Sequence, residues 1–393
     1  MTDSISDYQW LVGPAAVGLL EELAVSDNKP LADAARLRKT LSAARVHLLL
    51  EQAALRRRAR QKFAAAERMF FTPVGLEQAT DEVVAAYKAS RFAGQENVWD
   101  LCCGIGGDLL ALARRGPATG VDRDAVTALF AEANCRALAT EIPHSVSLQT
   151  RDVASLDLPE AAAWHLDPDR RSLGRRTTRV EHYEPGLPIM ERLLANRAAG
   201  VKLAPAAAPP ANWQTEAELE WISRAGECRQ LVAWFGPLAK TAGQRRATLV
   251  ADGGFRSLIG DPDTALPVAR QPGRYLAEPD AAVLAARLTG ALAAEHDLAG
   301  IATGAVYLTG DRVTPDAALR WFEITDLAPF DLKRFKTLLR ERRIGRLEVK
   351  KRGVDFDPAR LARQLRVPGD RQATLLLVRM GGNVVGILAR RVG

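Results

Sequence analysis

The 393-residue sequence predicts an α/β fold, with a doubly wound Rossmann-like sheet between a helical N-terminal region and a small α+β C-terminal domain. From about residue 97 to 250, short apolar segments typical of buried strands alternate with helical patterns. The first such strand runs into a glycine-rich loop and then a helix. Residues 31–68 instead show one long helical periodicity. We therefore expect domains at residues 1–92, 93–268 and 269–393.

The composition indicates an ordinary globular protein, with 47% hydrophobic and 26% charged residues. Its net charge of +7 permits binding to a polyanion but equally suits a merely soluble basic protein. Four cysteines and five histidines lack metal-ligand spacing, so we expect no metal site. No secretory signal pattern or apolar membrane span is apparent, and we expect a cytoplasmic protein.

Residues 98–108 and 120–124 predict a nucleoside-binding crevice. Glycines in the first segment allow close backbone approach to a ligand, and the following helix points free N–H groups at the loop. The second segment ends a strand in an acid suited to the ribose hydroxyls. The candidate contacts in these segments are Asp100, Cys102, Gly104, Gly106, Asp108, Asp122 and Arg123.

The details of the loop favour S-adenosylmethionine (SAM) as the nucleoside. A dinucleotide fingerprint, G-x-G-x-x-G/A, needs a small residue where this chain has Leu109. Asp100 and Asp108 place negative charge beside the loop, which disfavours a pyrophosphate but suits a sulfonium and an amino group. A dehydrogenase is thus a distant alternative.

Two further strand ends carry candidate site residues. After the predicted strand 146–150, Asp152 and Val153 are expected at the adenine, although Asp152 could instead cap the following turn. After the predicted strand 161–166, Asp167 and Pro168 should lie beside the transferred methyl group. We expect Asp167 to border the cofactor, position the acceptor and accept its proton.

Several motifs resemble those of bacterial class I SAM-dependent methyltransferases that carry a C-terminal THUMP-like domain. They are residues 70–72, 75–80, 100–108, 167–171, 202–205 and 218–221. The front half is similar, more loosely, to RNA cap guanine-N2 methyltransferases, which place a Phe/Thr-Pro segment before the same loop. In those families this segment lies over the cofactor, so the resemblance implies that Phe71, Thr72 and Gln78 belong to the pocket.

The acceptor motif departs from the pattern of amino-group methyltransferases, which is [D/N]-P-P-[aromatic]. Here Asp169 replaces the second proline and Arg170 the aromatic residue, which argues against methylation of an exocyclic amine on a flipped base. The D-P-x-R sequence also resembles uracil-C5 RNA methyltransferases. However, residues 202–205 lack the nucleophilic cysteine that those enzymes require.

Three clusters of basic residues are candidates for contact with phosphate. In the rim loop, Arg170, Arg171, Arg175 and Arg176 could hold RNA, or could pair with acids such as Glu181 or Glu184. Residues 56–62 form a basic helix end that could equally be a solvated face. Residues 333–352 contain ten Lys and Arg against two Glu, and on a strand Lys350 and Arg352 would share one face.

The remaining predicted elements complete the two folded domains. Helices are expected at 81–92, 124–138, 187–195, 281–294 and 332–340. Strands at 218–222, 230–235 and 246–250 should finish the sheet, the last two as an antiparallel hairpin, before a linker at 251–272.

The sequence thus predicts a SAM-dependent methyltransferase of a nucleobase in tRNA or rRNA. The THUMP-like resemblance implies that the C-terminal domain contacts RNA, although a basic domain could simply pack on the catalytic one. The alternatives are methylation of a small molecule or protein, and a non-catalytic RNA-binding protein.

Overall fold

The structure is a computed structural model that describes residues 4–25, 30–160, 162–171, 174–195, 197–304, 306–352 and 354–392. The chain forms two compact units. One comprises Met1–Leu219 with Gln230–Gly243, and the other Glu220–Arg229 with Gln244–Gly393. The division into three domains stays a prediction.

Helices make up the N-terminal region, as the sequence predicts. They are α1 (Ile5–Leu11), α2 (Pro14–Val25), α3 (Pro30–Leu37), α4 (Ala43–Ala59), α5 (Pro73–Gln78) and α6 (Glu82–Arg91). The single pattern expected over residues 31–68 is interrupted, because Ser42 adopts extended backbone and caps a new helix by accepting from Arg45 N. Thr72 and Asp81 cap α5 and α6 in the same way.

The sheet of the first unit has the order β3-β2-β1-β4-β5-β7. Its strands are β1 (Val98–Leu101), β2 (Ala118–Asp122), β3 (Val146–Thr150), β4 (Ala163–Leu166), β5 (Ala199–Leu203) and, after β6 (Glu218–Arg224), β7 (Glu227–Phe235). The first five are parallel, and β7 runs antiparallel to β5. Ala161, the expected first residue of β4, lies outside the described residues.

Helices α7 (Gly107–Arg115), α8 (Ala125–Ala137), α9 (Leu187–Leu194) and α10 (Trp213–Glu216) follow strands of this sheet. Since β1 lies between β2 and β4, the strand order reverses beside β1, where open α/β sheets bind their ligands. The predicted Rossmann-like fold is confirmed.

The predicted hairpin between residues 230–235 and 246–250 is wrong. Strand β8 (Arg245–Ala251) lies between β6 and β9 (Gly254–Gly260), and it pairs antiparallel with β9. Strand β9 occupies part of the segment expected as a linker. The Gly253-Gly254 pair belongs to a tight hairpin turn, in which Ala251 opposes Gly254, because glycine readily adopts turn conformations.

The C-terminal domain is α+β, as predicted. Its elements are β10 (Tyr275–Pro279), α11 (Ala281–Ala286), α12 (Thr289–Glu295), β11 (Ala299–Gly300), β12 (Leu308–Gly310), β13 (Leu319–Pro329), α13 (Leu332–Glu341), β14 (Ile344–Arg352), α14 (Pro358–Leu365), β15 (Arg371–Met380) and β16 (Asn383–Val392). The sheet order is β11-β12-β10-β13-β16-β15-β14. The helix predicted over 281–294 is split at Arg287, which adopts a left-handed conformation.

Each face of this sheet carries a hydrophobic core. One contains Phe335, Leu361 and Leu377, and the other contains Tyr307, Phe322 and Ile387. Among the described helices, none combines the length and apolar composition that crossing a bilayer requires.

Candidate functional site

A cleft of about 560 Å³ lies in the first unit, where the loops after β1, β2, β3 and β4 meet α5. That volume suits a small-molecule ligand. The predicted site residues that line it are Thr72, Gln78, Asp100, Cys102, Gly104, Asp108, Asp122, Arg123, Asp152, Val153, Asp167, Pro168 and Arg170. Phe71, Gly106, Arg171, Arg175 and Arg176 are not part of its lining.

The glycine loop leaves open space for a ligand. Gly104 has φ +56°, and a Cβ added there would meet no atom within 4 Å. Gly106, at φ +89°, packs against Ala131 and acts as the N-cap of α7. It provides no side-chain cap to α7, and the N–H groups of a helix's first turn are ones that a ligand can bind.

Asp122 holds the glycine loop in place. Its Oδ2 accepts from Gly104 N at 2.9 Å, and its Oδ1 accepts from Asp124 N at 3.0 Å. Burial raises the pKa of this carboxyl, an effect that these two hydrogen bonds oppose. Because each carboxylate oxygen can accept more than one hydrogen bond, Asp122 retains capacity for ribose hydroxyls.

Asp100 is a buried residue of the cleft lining. Its Oδ1 lies 2.8 Å from His165 Nδ1, whereas its Oδ2 has no hydrogen-bond partner in the described part of the chain. Lys88 Nζ lies 3.1 Å from His165 Nε2. A lysine ammonium only donates, so Nε2 accepts and Nδ1–H donates to Asp100. Burial raises the pKa of Asp100, and the His165 hydrogen bond opposes that rise.

Asp108 is neutralised from within the protein. Lys88 Nζ lies 2.7 Å from its Oδ1, and the two side chains are 2% and 9% exposed. Thr80 Oγ1 donates to Asp108 Oδ2 at 2.7 Å. Burial acts to raise the pKa of Asp108, but nearby positive charge, chiefly that of Lys88, lowers it overall. Lys88 and His165 were not predicted as site residues.

Asp167 is held by Lys202, which begins one of the family-like motifs but was not predicted as a site residue. Lys202 Nζ lies 2.6 Å from Asp167 Oδ2, and the two side chains are 6% and 24% exposed. Lys202 also contacts Thr80 Oγ1 at 3.1 Å and the Gln78 carbonyl at 3.3 Å. Asp167 Oδ1 has no hydrogen-bond partner among the described residues, and Asp167 lines the cleft.

Asp152 caps a turn as well as lining the cleft. Its Oδ1 accepts from Ala154 N at 2.8 Å, where a 3-10 helix begins at Val153. The turn-capping role is therefore present, and the contact of Asp152 with adenine stays a prediction.

Phe71 does not reach the cleft. Its ring is fully buried against Phe63, with ring centroids 5.9 Å apart. Gln52 of α4 binds both backbone groups of Phe71, accepting from its N–H and donating to its carbonyl. These contacts fix the segment so that the Phe71 side chain packs among the N-terminal helices. Thr72, the next residue, does line the cleft.

Two of the four rim arginines pair with an acid other than those expected, and Glu184, one of the expected acids, has a different partner. Arg123 pairs with Glu184. Arg171 and Arg176 pair with Glu77, at 2.5 and 3.3 Å. The hydrogen bond from Arg171 lowers the pKa of Glu77. Arg175 is exposed, while Ser172 and Leu173 of the expected rim loop lie outside the described residues.

In the C-terminal domain, Lys350 is an internal residue. Its Nζ lies 2.5 Å from Glu278 Oε2 and 5.4 Å from the centre of the Phe322 ring. Three strands separate β14 from β10 in the sheet order, so this contact requires a strongly curved sheet. The side chain of Lys350 is 16% exposed, whereas that of Arg352 is 48% exposed. The structure thus places only Arg352 of this pair at the surface.

One group in the second unit has the residue types of a metal site. The ligand atoms of Glu295, His296 and Asp316 lie within 4.8 Å of one another. However, Arg256 pairs with Glu295 at 2.5 Å and with Asp316 at 3.1 Å. These carboxylates therefore already have a cationic partner.

The charge of the cleft fits a cationic ligand. Its described lining contains two arginines, Arg123 and Arg170, against eight carboxylates, namely Asp100, Asp108, Asp122, Asp124, Asp152, Asp167, Asp169 and Glu184. Lys88, Lys202 and Arg123 pair with Asp108, Asp167 and Glu184, which leaves five aspartates without an ion pair to Lys or Arg in the described part of the chain. The partnerless Asp100 Oδ2 could accept from an amino group, and a sulfonium would be stabilised by the surrounding acids. The chain's net charge is +7, so the acidity is local to the cleft.

Comparisons with known proteins agree with this geometry. Two Mycobacterium tuberculosis proteins, each named an uncharacterized S-adenosylmethionine-dependent methyltransferase, are 35% identical to this chain over 343 residues. The match covers 85% of this chain and 92% of theirs. A crystal structure of a candidate methyltransferase from Porphyromonas gingivalis has the same fold, with a TM-score of 0.76 at 19% identity. That match covers 99% of this chain and 98% of the other.

Two family descriptions match parts of the chain. Residues 319–391 match the family described as THUMP domain-like, and residues 4–59 match a domain of unknown function (DUF8688). The first match confirms the predicted THUMP-like domain. Given its identity to the mycobacterial proteins over most of its length, the chain belongs to the SAM-dependent methyltransferases, and SAM is its cofactor.

Proposed function

We propose that this methyltransferase modifies a nucleobase in tRNA or rRNA, that its C-terminal domain contributes RNA binding, and that it acts in the cytoplasm. The observation that best supports the proposal is the state of Asp167 at the cleft. Lys202 holds one of its carboxylate oxygens, whereas the other has no hydrogen-bond partner among the described residues. The THUMP domain-like match and the basic segment 333–352 support RNA as the substrate class.

The cleft residues suggest how SAM would be held. Asp122 would accept from the ribose hydroxyls, Asp152 and Val153 would border the adenine, and Asp100 Oδ2 would accept from the amino group. Gly104 would let the backbone approach the ligand closely. Asp108 would act through Lys88 and Thr80 and would not be an unpaired anion facing the cofactor.

Bound SAM supplies a methyl group on a sulfonium, which is a good leaving group. The protein's main task is therefore to align the acceptor. Asp167 would accept a hydrogen bond from an acceptor N–H and take up its proton, while the acceptor nitrogen would bond to the methyl carbon and the carbon–sulfur bond would break to leave a neutral thioether. Pro168, next in the chain, would border the acceptor with an apolar surface.

The acidity of the cleft limits how a nucleic acid can enter. Phosphate groups would be repelled by the lining aspartates that have no cationic partner, so only an extruded base would reach Asp167 while the backbone remains at the rim. Arg170, which lines the cleft, is placed to meet such a backbone.

Label transfer from radioactive SAM tests this proposal. Purified protein should label tRNA or rRNA from cells that lack the enzyme, in a single modified nucleoside identified by mass mapping. Asp167→Ala should abolish transfer while retaining SAM binding. If the wild-type protein binds SAM but labels no RNA fraction, RNA would be ruled out as the substrate.

A small molecule or protein is the second candidate acceptor. The specific observation in its favour is the absence of an aromatic residue after Pro168, where Asp169 and Arg170 stand. Salt dependence separates the two, because binding of a polyanion weakens steeply with added salt and binding of a small neutral acceptor does not.

A further inference from the structure

Two rim arginines converge on one carboxylate oxygen. Arg171 Nη2 lies 2.5 Å and Arg176 Nη2 lies 3.3 Å from Glu77 Oε1. The convergence follows from the loop, in which Thr177 N donates to the Arg170 carbonyl at 3.0 Å. With residues 170 and 177 joined across the loop, residues 171 and 176 come next to each other.

Glu77 is itself fixed beside the cleft. Lys62 Nζ donates to the carbonyls of Leu76 and Glu77, at 2.8 and 3.0 Å, and so holds the end of α5. The next residue, Gln78, lines the cleft and donates to Asp169 Oδ1 at 3.3 Å. The paired arginines therefore lie at the rim, next to the segment that follows Asp167.

The chemistry of this pair matches a phosphate better than a carboxylate. All three side chains are partly exposed, and exposed ion pairs contribute little to stability. Glu77 offers a single oxygen to two guanidinium groups. A phosphodiester has two non-bridging oxygens, and each can accept hydrogen bonds from a different guanidinium group.

We propose that Arg171 and Arg176 bind one backbone phosphate of the RNA substrate, and that Glu77 occupies the pair until that phosphate displaces it. This rests on the proposed RNA substrate. Glu77 keeps the two guanidinium groups in position and disfavours polyanions that present no phosphate at this point of the rim.

Binding of total tRNA to Glu77→Gln tests this, measured by fluorescence anisotropy without SAM. Removal of the competing carboxylate should tighten binding about 3–10-fold at low salt and steepen the salt dependence by up to one phosphate contact, because the two arginines share one phosphate. Glu181→Gln is the matched control, because Glu181 is exposed, follows the same loop and has the same charge. Arg171→Gln and Arg176→Gln, added to Glu77→Gln, should abolish the gain.

An equal gain in Glu77→Gln and Glu181→Gln would overturn the proposal, since net charge alone would explain it. No gain in Glu77→Gln would also overturn it. Because binding is read without methyl transfer, the result is independent of catalysis. If Glu77→Gln tightens tRNA binding as predicted but the wild-type protein labels no RNA, the proposed function would be ruled out. The phosphate-binding role of Arg171 and Arg176 would then still stand.

Discussion

Lys202 Nζ and Asp167 Oδ2 lie 2.6 Å apart, and this pair joins the interior of the sheet to the cleft. Lys202 lies on β5, and its side chain is buried beneath the strand ends. The lysine thus fixes the orientation of the acid proposed to meet the acceptor.

Lys202→Met should lower kcat for RNA methylation about 10–100-fold, because Asp167 would no longer be held at one oxygen. The Kd for SAM, measured by calorimetry, should stay within about twofold. The same loss should not add to that of Asp167→Asn, since Lys202 acts through Asp167. Fully additive losses in the double variant would show an independent role for the lysine.

Lys88→Met should lower the free energy of unfolding by about 3–5 kcal/mol, because it leaves the buried Asp108 carboxylate without its cation. Urea denaturation measures this. Arg136→Met is the control: Arg136 pairs with Glu132 on the helix surface, where loss of the pair should cost less than about 1 kcal/mol. Equal costs at the two sites would mean that Lys88 is not buried as described.

Asp100→Asn should stabilise the cofactor-free protein at neutral pH. Burial raises the pKa of Asp100 above its ordinary 3.8, so the wild type is relatively most stable at low pH and loses that stability as pH rises through the raised value. The variant's advantage in urea denaturation should therefore shrink toward acid pH, and an advantage that grows toward acid would contradict this. SAM affinity should fall.

Lys350→Met should lower the free energy of unfolding but change the affinity for tRNA less than about twofold, because Lys350 is paired inside the curved sheet. Arg352→Gln should show the reverse, weaker tRNA binding with little loss of stability, since Arg352 is nearly half exposed and lies 3.8 Å from Glu278, farther than Lys350 does. Anisotropy and urea denaturation separate the two. A larger loss of tRNA affinity from Lys350→Met than from Arg352→Gln would contradict the assignment.

The local sequence pattern was sufficient to predict where the strands end and where the glycine loop lies. An apolar strand followed by glycines and a helix dictates the position of Gly104, and the second strand places Asp122 against its N–H group. Helix α8 also lies within the predicted limits, because Asp124 gives a clear N-cap signal.

The partners of residues that act through distant contacts could not be predicted from local pattern. Lys88 and Lys202 belong to elements far apart in sequence, and a lysine on a helix or strand normally indicates a solvated position. Phe71 was misplaced because which face an aromatic ring takes depends on Gln52, nineteen residues earlier in the chain. One usable signal was Lys202 within the otherwise apolar strand β5, where a charged side chain needs a buried partner.

The most direct test of the cofactor site is calorimetric titration of SAM into the wild-type protein and Asp122→Asn. Asp122 orders the glycine loop and is proposed to bind the ribose, so we expect one SAM per chain in the wild type. The variant should bind at least about tenfold more weakly, which corresponds to about 1.4 kcal/mol, and its thermal unfolding should confirm that it is folded. Equal affinity for SAM in a folded Asp122→Asn variant would contradict the account.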